Sequence, residues 1–137
     1  MSILGINQIR WKKTVIVYGV FVAFCMMVAY VYNLFGHGVH SNSMDYMFVY
    51  PLIGGSMFYG ILGILTNHKV VRFSYYRIGY NLYNAGLATL TVRSFYQGVL
   101  EIAGASTTYL TTFMMIGGLL MVIGCLTMII ALLFKEE

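Results

Sequence analysis

Charged residues are scarce in this sequence. Lysine and arginine contribute 8 residues and aspartate and glutamate 4, so that only 9% of the 137 residues carry a charge. A soluble domain carries about 25% charged residues, and this chain has too few to cover a surface that faces water. Hydrophobic residues make up 60% of it, and its mean hydropathy is +0.81. Soluble, disordered and nucleic-acid-binding proteins are therefore excluded, and an integral protein of the lipid bilayer is predicted.

Cysteine and proline are also rare. The two cysteines, Cys25 and Cys125, lie 100 residues apart and form no C-x-x-C motif. Four-helix thiol oxidoreductases need paired reactive cysteines, so the sequence argues against that class, and a buried free cysteine usually acts as a small apolar residue. The single proline, Pro51, is followed by Gly54 and Gly55 at the predicted start of a helix, where a missing backbone donor is tolerated.

Long uncharged runs divide the chain into segments of membrane-spanning length. A helix that crosses a hydrocarbon core of about 30 Å needs about 20 mostly apolar residues. The runs predict four helices, near 14–35, 46–67, 78–100 and 108–134. Only the third contains a charge, that of Arg93. We therefore expect an all-α membrane protein, a single domain over 1–137 with four transmembrane helices in a compact antiparallel bundle.

The positions of the cations predict the orientation. Cytoplasmic loops of membrane proteins carry an excess of lysine and arginine. Seven of the eight cations flank the same side of a four-span chain: Arg10, Lys12, Lys13, Lys69, Arg72, Arg77 and Lys135. The loops on the other side, near 36–45 and 101–107, contain Asp45 and Glu101 but no lysine or arginine. Both termini are therefore predicted to face the cytoplasm.

The third predicted span is the most polar of the four. It carries Asn81, Asn84 and Arg93 on different sides, so we expect it to pack against the other three helices rather than to face lipid. Small residues permit the close approach of membrane helices. The predicted packing positions in the second, third and fourth spans are Ser56, Gly60, Gly79, Ala85, Gly86, Thr89, Gly117 and Gly124. We interpret the polar groups as interhelical hydrogen-bonding partners, with a substrate path as the alternative.

A possible outer polar cluster lies where the third span approaches the outer surface. At 1.5 Å per residue, Arg93 lies about 22 Å beyond Ile78, at a depth where a charge costs roughly 2.5–3.5 kcal/mol. Gln97 and Glu101 follow it at one and two turns on one broad face, and Asp45 begins the second span on the same side. We expect Arg93 to pair with Glu101 or Asp45. An anion or headgroup site is the alternative.

The sequence contains no catalytic constellation and no cofactor motif. His37 and His40 in the first outer loop, with Asp45, are weak candidates for zinc or copper ligands, because an H-x-x-H without paired cysteines is poor evidence of a metal site. A solvated loop is the preferred interpretation. No histidine lies inside a predicted span, which argues against haem held between two histidines. We therefore expect no enzymatic activity, no cofactor and no metal.

Two stretches of the chain are similar to a known group of proteins. They are His37-Gly-Val39 with Met47-Phe-Val-Tyr-Pro-Leu-Ile-Gly-Gly55, and Asn81-Leu-Tyr-Asn-Ala-Gly-Leu-Ala-Thr-Leu-Thr-Val92. Through them, most of 14–134 resembles small four-helix membrane proteins of Gram-positive bacteria that carry no assigned activity. The resemblance implies a multi-pass protein of the bacterial cytoplasmic (inner) membrane. It transfers no functional residue, and Arg93 stands where the pattern has a small residue.

Three functions are compatible with the sequence. The first is a non-enzymatic membrane subunit or accessory protein that forms a homo-oligomer or binds a larger membrane-protein partner, which the small extramembrane mass favours. The second is a small transporter or channel lined by the polar third span, although small multidrug transporters need an acidic residue in the first span and this one has none. The third is a redox or lipid-binding membrane component that holds a quinone or a headgroup near the outer polar cluster.

Overall fold

Helices make up most of the described part of the chain, and the prediction of an all-α fold is confirmed. The structure, a computed structural model, describes residues 3–65 and 74–133, with side chains for 11–65 and 76–133. The helices are α1 (Ile3–Phe35), α2 (Asn42–Asp45), a π-helix (Tyr50–Met57) that continues into α3 (Phe58–Leu65), α4 (Ser74–Ala103) and α5 (Tyr109–Leu133). No strand occurs in these two ranges. Outside them lie Lys69, Arg72 and Lys135, with 66–67 of the second predicted span and 134 of the fourth.

Three helical segments of the described chain are long and apolar enough to cross a membrane. They are Trp11–Phe35, Asn42–Leu65 and Tyr109–Leu133, and they correspond to the first, second and fourth predicted spans. α4 covers the third predicted span, but its asparagines and Arg93 make it less apolar. α1 begins at Ile3 rather than near residue 14 because lysine and arginine are good helix formers. The end of the charged stretch near residue 14 thus does not coincide with the start of the helix.

α4 occupies the centre of the fold. It packs along α5 on one side and against α2 and the π-helix on another. α1 packs against α2, the π-helix and α3, and it reaches α4 through the side chains of Tyr18 and Tyr32. Within the described residues, the backbone of α5 comes close to no helix except α4. α5 is therefore joined to the rest of the described fold through α4.

Two pairs of glycines form the contact between α4 and α5. A Cβ atom added at Gly86 would lie 2.6 Å from the carbonyl oxygen of Gly117, and one added at Gly79 would lie 2.9 Å from that of Gly124. The seven-residue spacing within each helix places both glycines on one face, since seven residues make almost two turns. Residue numbers fall along α5 as they rise along α4. The four glycines let the two backbones approach more closely than any side chain would allow.

Two predicted packing positions do not lie at a helix contact, and for them the prediction is wrong. Ala85 is exposed, and nothing lies within 4 Å of a Cβ atom added at Gly60, because both residues face away from the neighbouring helices. The hydroxyl of Thr89 donates to the carbonyl oxygen of Ala85 in its own helix (2.8 Å). The hydroxyl oxygen of Ser56 is buried and has no hydrogen-bond partner in the described part of the chain.

The second span contains a π-helix where the sequence predicts an ordinary helix start. Pro51 lies in its first turn, where its missing N–H costs least. Gly55 lies directly against the ring of Tyr18, so that a Cβ atom at this position would overlap the ring. The carbonyl oxygen of Gly54 accepts a hydrogen bond from the Tyr83 hydroxyl of α4 (2.8 Å). The π-helix is thus fastened to α1 by close packing and to α4 by a hydrogen bond.

Candidate functional site

Glu101 is the centre of a hydrogen-bonded cluster at the C-terminal end of α4. Its carboxylate accepts hydrogen bonds from the hydroxyls of Ser41 (2.5 Å) and Ser43 (2.7 Å). The side-chain amide of Gln97, one turn earlier in α4, donates a third at 2.9 Å. In addition, the hydroxyl of Ser94 donates to the backbone carbonyl of Ser43 (2.6 Å). These bonds attach the loop before α2, and α2 itself, to α4.

Local sequence explains why the loop presents its hydroxyls at this point. Ser41 is the N-cap of α2, and its hydroxyl oxygen accepts the backbone N–H of Met44 at 3.1 Å, as N-cap residues commonly do. Met44 is fully buried and lies against Gly98 of α4, where an added Cβ atom would come within 2.8 Å of the Met44 Cβ. Gly98 therefore allows α2 to sit on α4, and the cap of α2 then faces Glu101.

Asp45, at the end of α2, is held by α1. The side-chain amide nitrogen of Asn33 donates to a carboxylate oxygen of Asp45 at 2.7 Å. The amide oxygen of Asn33 is buried and finds no hydrogen-bond partner among the residues that the structure describes. The two acids are thus satisfied separately, Glu101 by hydroxyls and an amide and Asp45 by an amide.

Arg93 does not pair with either acid in the described structure, so the predicted ion pair is wrong. Its Nε donates instead to the backbone carbonyl of Leu110, in the first turn of α5, at 3.3 Å. Arg93 follows Gly86 by seven residues and starts from the α5-facing side of α4. Glu101 comes eight residues later, which rotates it by about 80° towards α2. The broad face of α4 is therefore shared between α5 and α2. Arg93 contacts α5, and Glu101 faces α2.

Glu101 lies beyond the predicted span, and its surroundings favour the charged form. Partial desolvation raises its pKa, but the hydrogen bonds from Ser41, Ser43 and Gln97 lower it more, so the pKa of Glu101 lies below its ordinary value of 4.5. Because the folded-state pKa is depressed, the stabilisation is complete above the ordinary pKa. It is lost as the pH falls through the folded-state value.

Acidification is therefore expected to loosen the contact between α2 and α4. We predict that the unfolding temperature in detergent falls more steeply between about pH 6 and about pH 3 for the natural chain than for Glu101→Gln. Circular dichroism at a series of pH values measures both slopes. Ser106→Ala, in the exposed loop that follows Glu101, is the matched control and should keep the original slope. An unchanged slope in Glu101→Gln would show that other carboxylates carry the acid sensitivity.

A second polar cluster joins three helices nearer the middle of α4. The hydroxyls of Tyr18 in α1 and Tyr59 in α3 both donate to the side-chain oxygen of Asn84 in α4, at 2.6 and 2.7 Å. The rings of Tyr18 and Tyr59 are stacked with centroids 5.7 Å apart. Phe58 stacks on Tyr83 at 4.4 Å, which extends the aromatic packing into α4. One amide oxygen thus serves as the common acceptor for α1 and α3.

The sequence reasoning named Asn84 as a packing group but missed its two phenol partners. Tyr18 and Tyr59 lie inside uncharged spans, away from the interfaces where tyrosine is usually enriched. A buried tyrosine hydroxyl needs a hydrogen-bond partner, so a tyrosine within a span indicates a polar group on a neighbouring helix. That signal was available, but it does not say which of several amides is the partner.

The candidate metal ligands are not brought together. Among the described residues, no group of three or more His, Cys, Asp or Glu side chains is arranged to hold a metal ion. His37 and His40 are exposed, and His37 has a φ of 50° in the turn after α1. Asp45 is already bound by Asn33. The described structure therefore does not assemble His37, His40 and Asp45 into a metal site.

Comparisons with protein families, with curated proteins and with solved structures found no match to the chain. The geometry of the two clusters must therefore be interpreted by its own chemistry. Both consist of neutral donors that satisfy an acceptor on α4, and the described cysteines, Cys25 and Cys125, are free and belong to neither. Such an arrangement holds helices together.

Proposed function

We propose that this chain is a non-enzymatic integral membrane subunit or accessory protein of the bacterial cytoplasmic membrane. It forms an antiparallel bundle of four transmembrane helices with both termini in the cytoplasm. It acts by packing against further copies of itself or against a larger membrane-protein partner, and it uses neither a cofactor nor a metal.

The observation that supports this proposal is that the polar groups of α4 are hydrogen-bonded within the protein. Asn84 accepts hydrogen bonds from α1 and α3, Glu101 accepts them from the loop before α2, and Ser94 donates to Ser43. Thr91, which is buried, donates to the carbonyl oxygen of Leu87 in its own helix (2.9 Å). A transport path needs polar groups that can exchange partners with a substrate, whereas these groups bind one another. They therefore support a structural role, in which α4 holds the other helices together.

The distribution of charge supports the orientation. The hydroxyls of Thr14 in α1 and Tyr80 in α4 are 3.4 Å apart, so the first parts of α1 and α4 lie at the same end of the molecule. That end carries the exposed cations Lys12, Lys13 and Arg77. Glu101 and Asp45 lie at the other end. This asymmetry agrees with the positive-inside rule for a chain whose termini are cytoplasmic.

The outer surfaces of α1 and α5 are suited to contacts with lipid and with other helices. Val20 of α1 is 66% exposed and Leu119 of α5 is 59% exposed. Because α5 packs only on α4 within the described chain, most of its circumference is available. Apolar surface of this kind is stable in a bilayer, and in a subunit part of it is covered by a partner helix.

A transporter or channel is the second candidate, and one observation favours it. Asn81 is exposed on a side of α4 that also carries the exposed Ala85 and Ala88. An amide that faces outward within a predicted span is unusual for a lipid-facing surface. In this alternative, the Asn81 side of α4 would line a path completed by a second copy of the chain.

Site-specific photo-crosslinking in native membranes tests the proposal. We expect a benzophenone amino acid at Leu119 to give a protein adduct of defined mass, either a dimer of this chain or a conjugate with one larger protein. The same group at Ile78, which is exposed on the Asn81 side of α4, shows whether that side of α4 or the exposed side of α5 contacts a protein. Lipid adducts alone from both positions, together with flux through liposomes that contain the pure chain, would contradict the accessory role and favour transport.

A further inference from the structure

Arg93 lies beside the first turn of α5. Its Nε donates to the backbone carbonyl of Leu110, the second residue of α5. The start of α5 is placed at the outer interface by the membrane arrangement proposed above. The guanidinium is therefore level with that interface, although α4 continues for ten more residues to Ala103.

No acidic side chain among the residues that the structure describes pairs with Arg93. Glu101 is held by Ser41, Ser43 and Gln97 on the α2 side of α4, and Asp45 is held by Asn33. A guanidinium has five N–H donors, and Arg93 uses one of them within the described residues. A cation with unused donors at this depth is strongly stabilised by an anion.

The contact between α4 and α5 makes this cation accessible. The glycine pairs Gly79–Gly124 and Gly86–Gly117 continue, by one more step of seven residues in each helix, to Arg93 and Leu110. At this step a long side chain replaces glycine, and the close backbone contact ends. Arg93 is only half-buried, and the residues 111–116 that follow Leu110 are all exposed. The guanidinium can thus be reached from the lipid side.

We propose that Arg93 binds the phosphate of a phospholipid of the outer leaflet. The two Nη groups of a guanidinium match two oxygens of a phosphodiester in a bidentate arrangement, and in the membrane placement proposed above the first turn of α5, beside which Arg93 lies, is close to the headgroups. The exposed hydroxyls of Thr111 and Thr112 in the first turn of α5 offer further donors to the same headgroup. The proposal rests on the membrane placement proposed above, but it requires no protein partner.

Dipolar dephasing between ³¹P and ¹³C tests the contact directly. In a full-length variant with Arg10→Lys, Arg72→Lys and Arg77→Lys, labelled arginine reports only Arg93 through its ¹³Cζ. In phosphatidylglycerol vesicles and phosphate-free buffer, we expect the phospholipid phosphorus to dephase this signal. In galactolipid vesicles with added inorganic phosphate, we expect no dephasing, because free phosphate remains in the water.

The outcomes separate this proposal from the membrane placement. Flotation with the vesicles shows first that the chain has inserted; a chain that fails to float contradicts the placement itself. With insertion established, absent dephasing in phosphatidylglycerol overturns the proposal, and equal dephasing in both arms overturns the assignment to lipid. As a second measurement, Arg93→Gln should retain less phosphatidylglycerol in native mass spectrometry than the natural chain, whereas Arg93→Lys should retain an intermediate amount.

Discussion

Replacing Gly124 by alanine is expected to destabilise the protein strongly. The new Cβ atom would overlap the backbone nitrogen of Tyr83 and would lie 2.7 Å from the carbonyl oxygen of Gly79. Backbone atoms cannot move aside as a flexible side chain can, so α5 must separate from α4. Overpacking of a core costs typically about 1–3 kcal/mol and occasionally more. Unfolding in a titration with denaturing detergent, followed by circular dichroism, measures the loss.

Gly118 provides the matched control in the same helix. Nothing lies within 4 Å of a Cβ atom added there, and alanine is favoured over glycine in a helix by up to about 1 kcal/mol. Gly118→Ala is therefore expected to leave the stability unchanged or to raise it slightly. Equal losses in Gly124→Ala and Gly118→Ala would mean that the glycine pairs do not form the contact between α4 and α5.

Replacing Asn84 by leucine is expected to be the second large perturbation. The change removes the shared acceptor of the Tyr18 and Tyr59 hydroxyls. A buried polar group that loses its only partner costs roughly 1–3 kcal/mol, and here two are affected. The same detergent titration applies, with Asn81→Leu as the control, since Asn81 is exposed one turn earlier in α4.

The coupling between these residues is the sharper test. Tyr59→Phe should destabilise the natural chain, but it should cost little or even restore stability in the Asn84→Leu background, where the hydroxyl has already lost its acceptor. If the losses from Tyr59→Phe and Asn84→Leu simply add, the two residues are independent and the three-helix cluster does not hold the fold together.

Much of the architecture could be predicted because charge and glycine act locally. The uncharged runs indicate where helices can cross a bilayer, and the helices occur there. Gly79 and Gly86 in α4, and Gly117 and Gly124 in α5, were named as packing positions for their size alone, and they face one another. Glycine has no side chain, so in a tightly packed helix pair it lets the two backbones come into contact. Such positions can therefore be recognised in the sequence.

The partners of the polar side chains could not be predicted in the same way. The sequence places Arg93 and Glu101 on one broad face of α4, but that face is wide enough for α5 and α2 to occupy different parts of it. The acceptor of Arg93 is a backbone carbonyl, which any residue could supply. Ser41 reaches Glu101 only because the loop folds back as the cap of α2. The π-helix was likewise predicted as an ordinary helix, and the contacts of its Gly54 with Tyr83 and of its Gly55 with Tyr18 join residues far apart in the sequence.

The four-span arrangement depends on α4 crossing the membrane, and the polar groups of α4 make it the least apolar of the long helices. In a chain with Cys25→Ala and Cys125→Ala, a single cysteine at exposed Ser106, between α4 and α5, reports the answer. If α4 spans, an impermeant maleimide added to intact cells labels Ser106→Cys as it labels Asn42→Cys, and it spares Lys13→Cys until the membrane is permeabilised. Labelling of Ser106→Cys only after permeabilisation would contradict the four-span arrangement, because the loop would then lie on the cytoplasmic side.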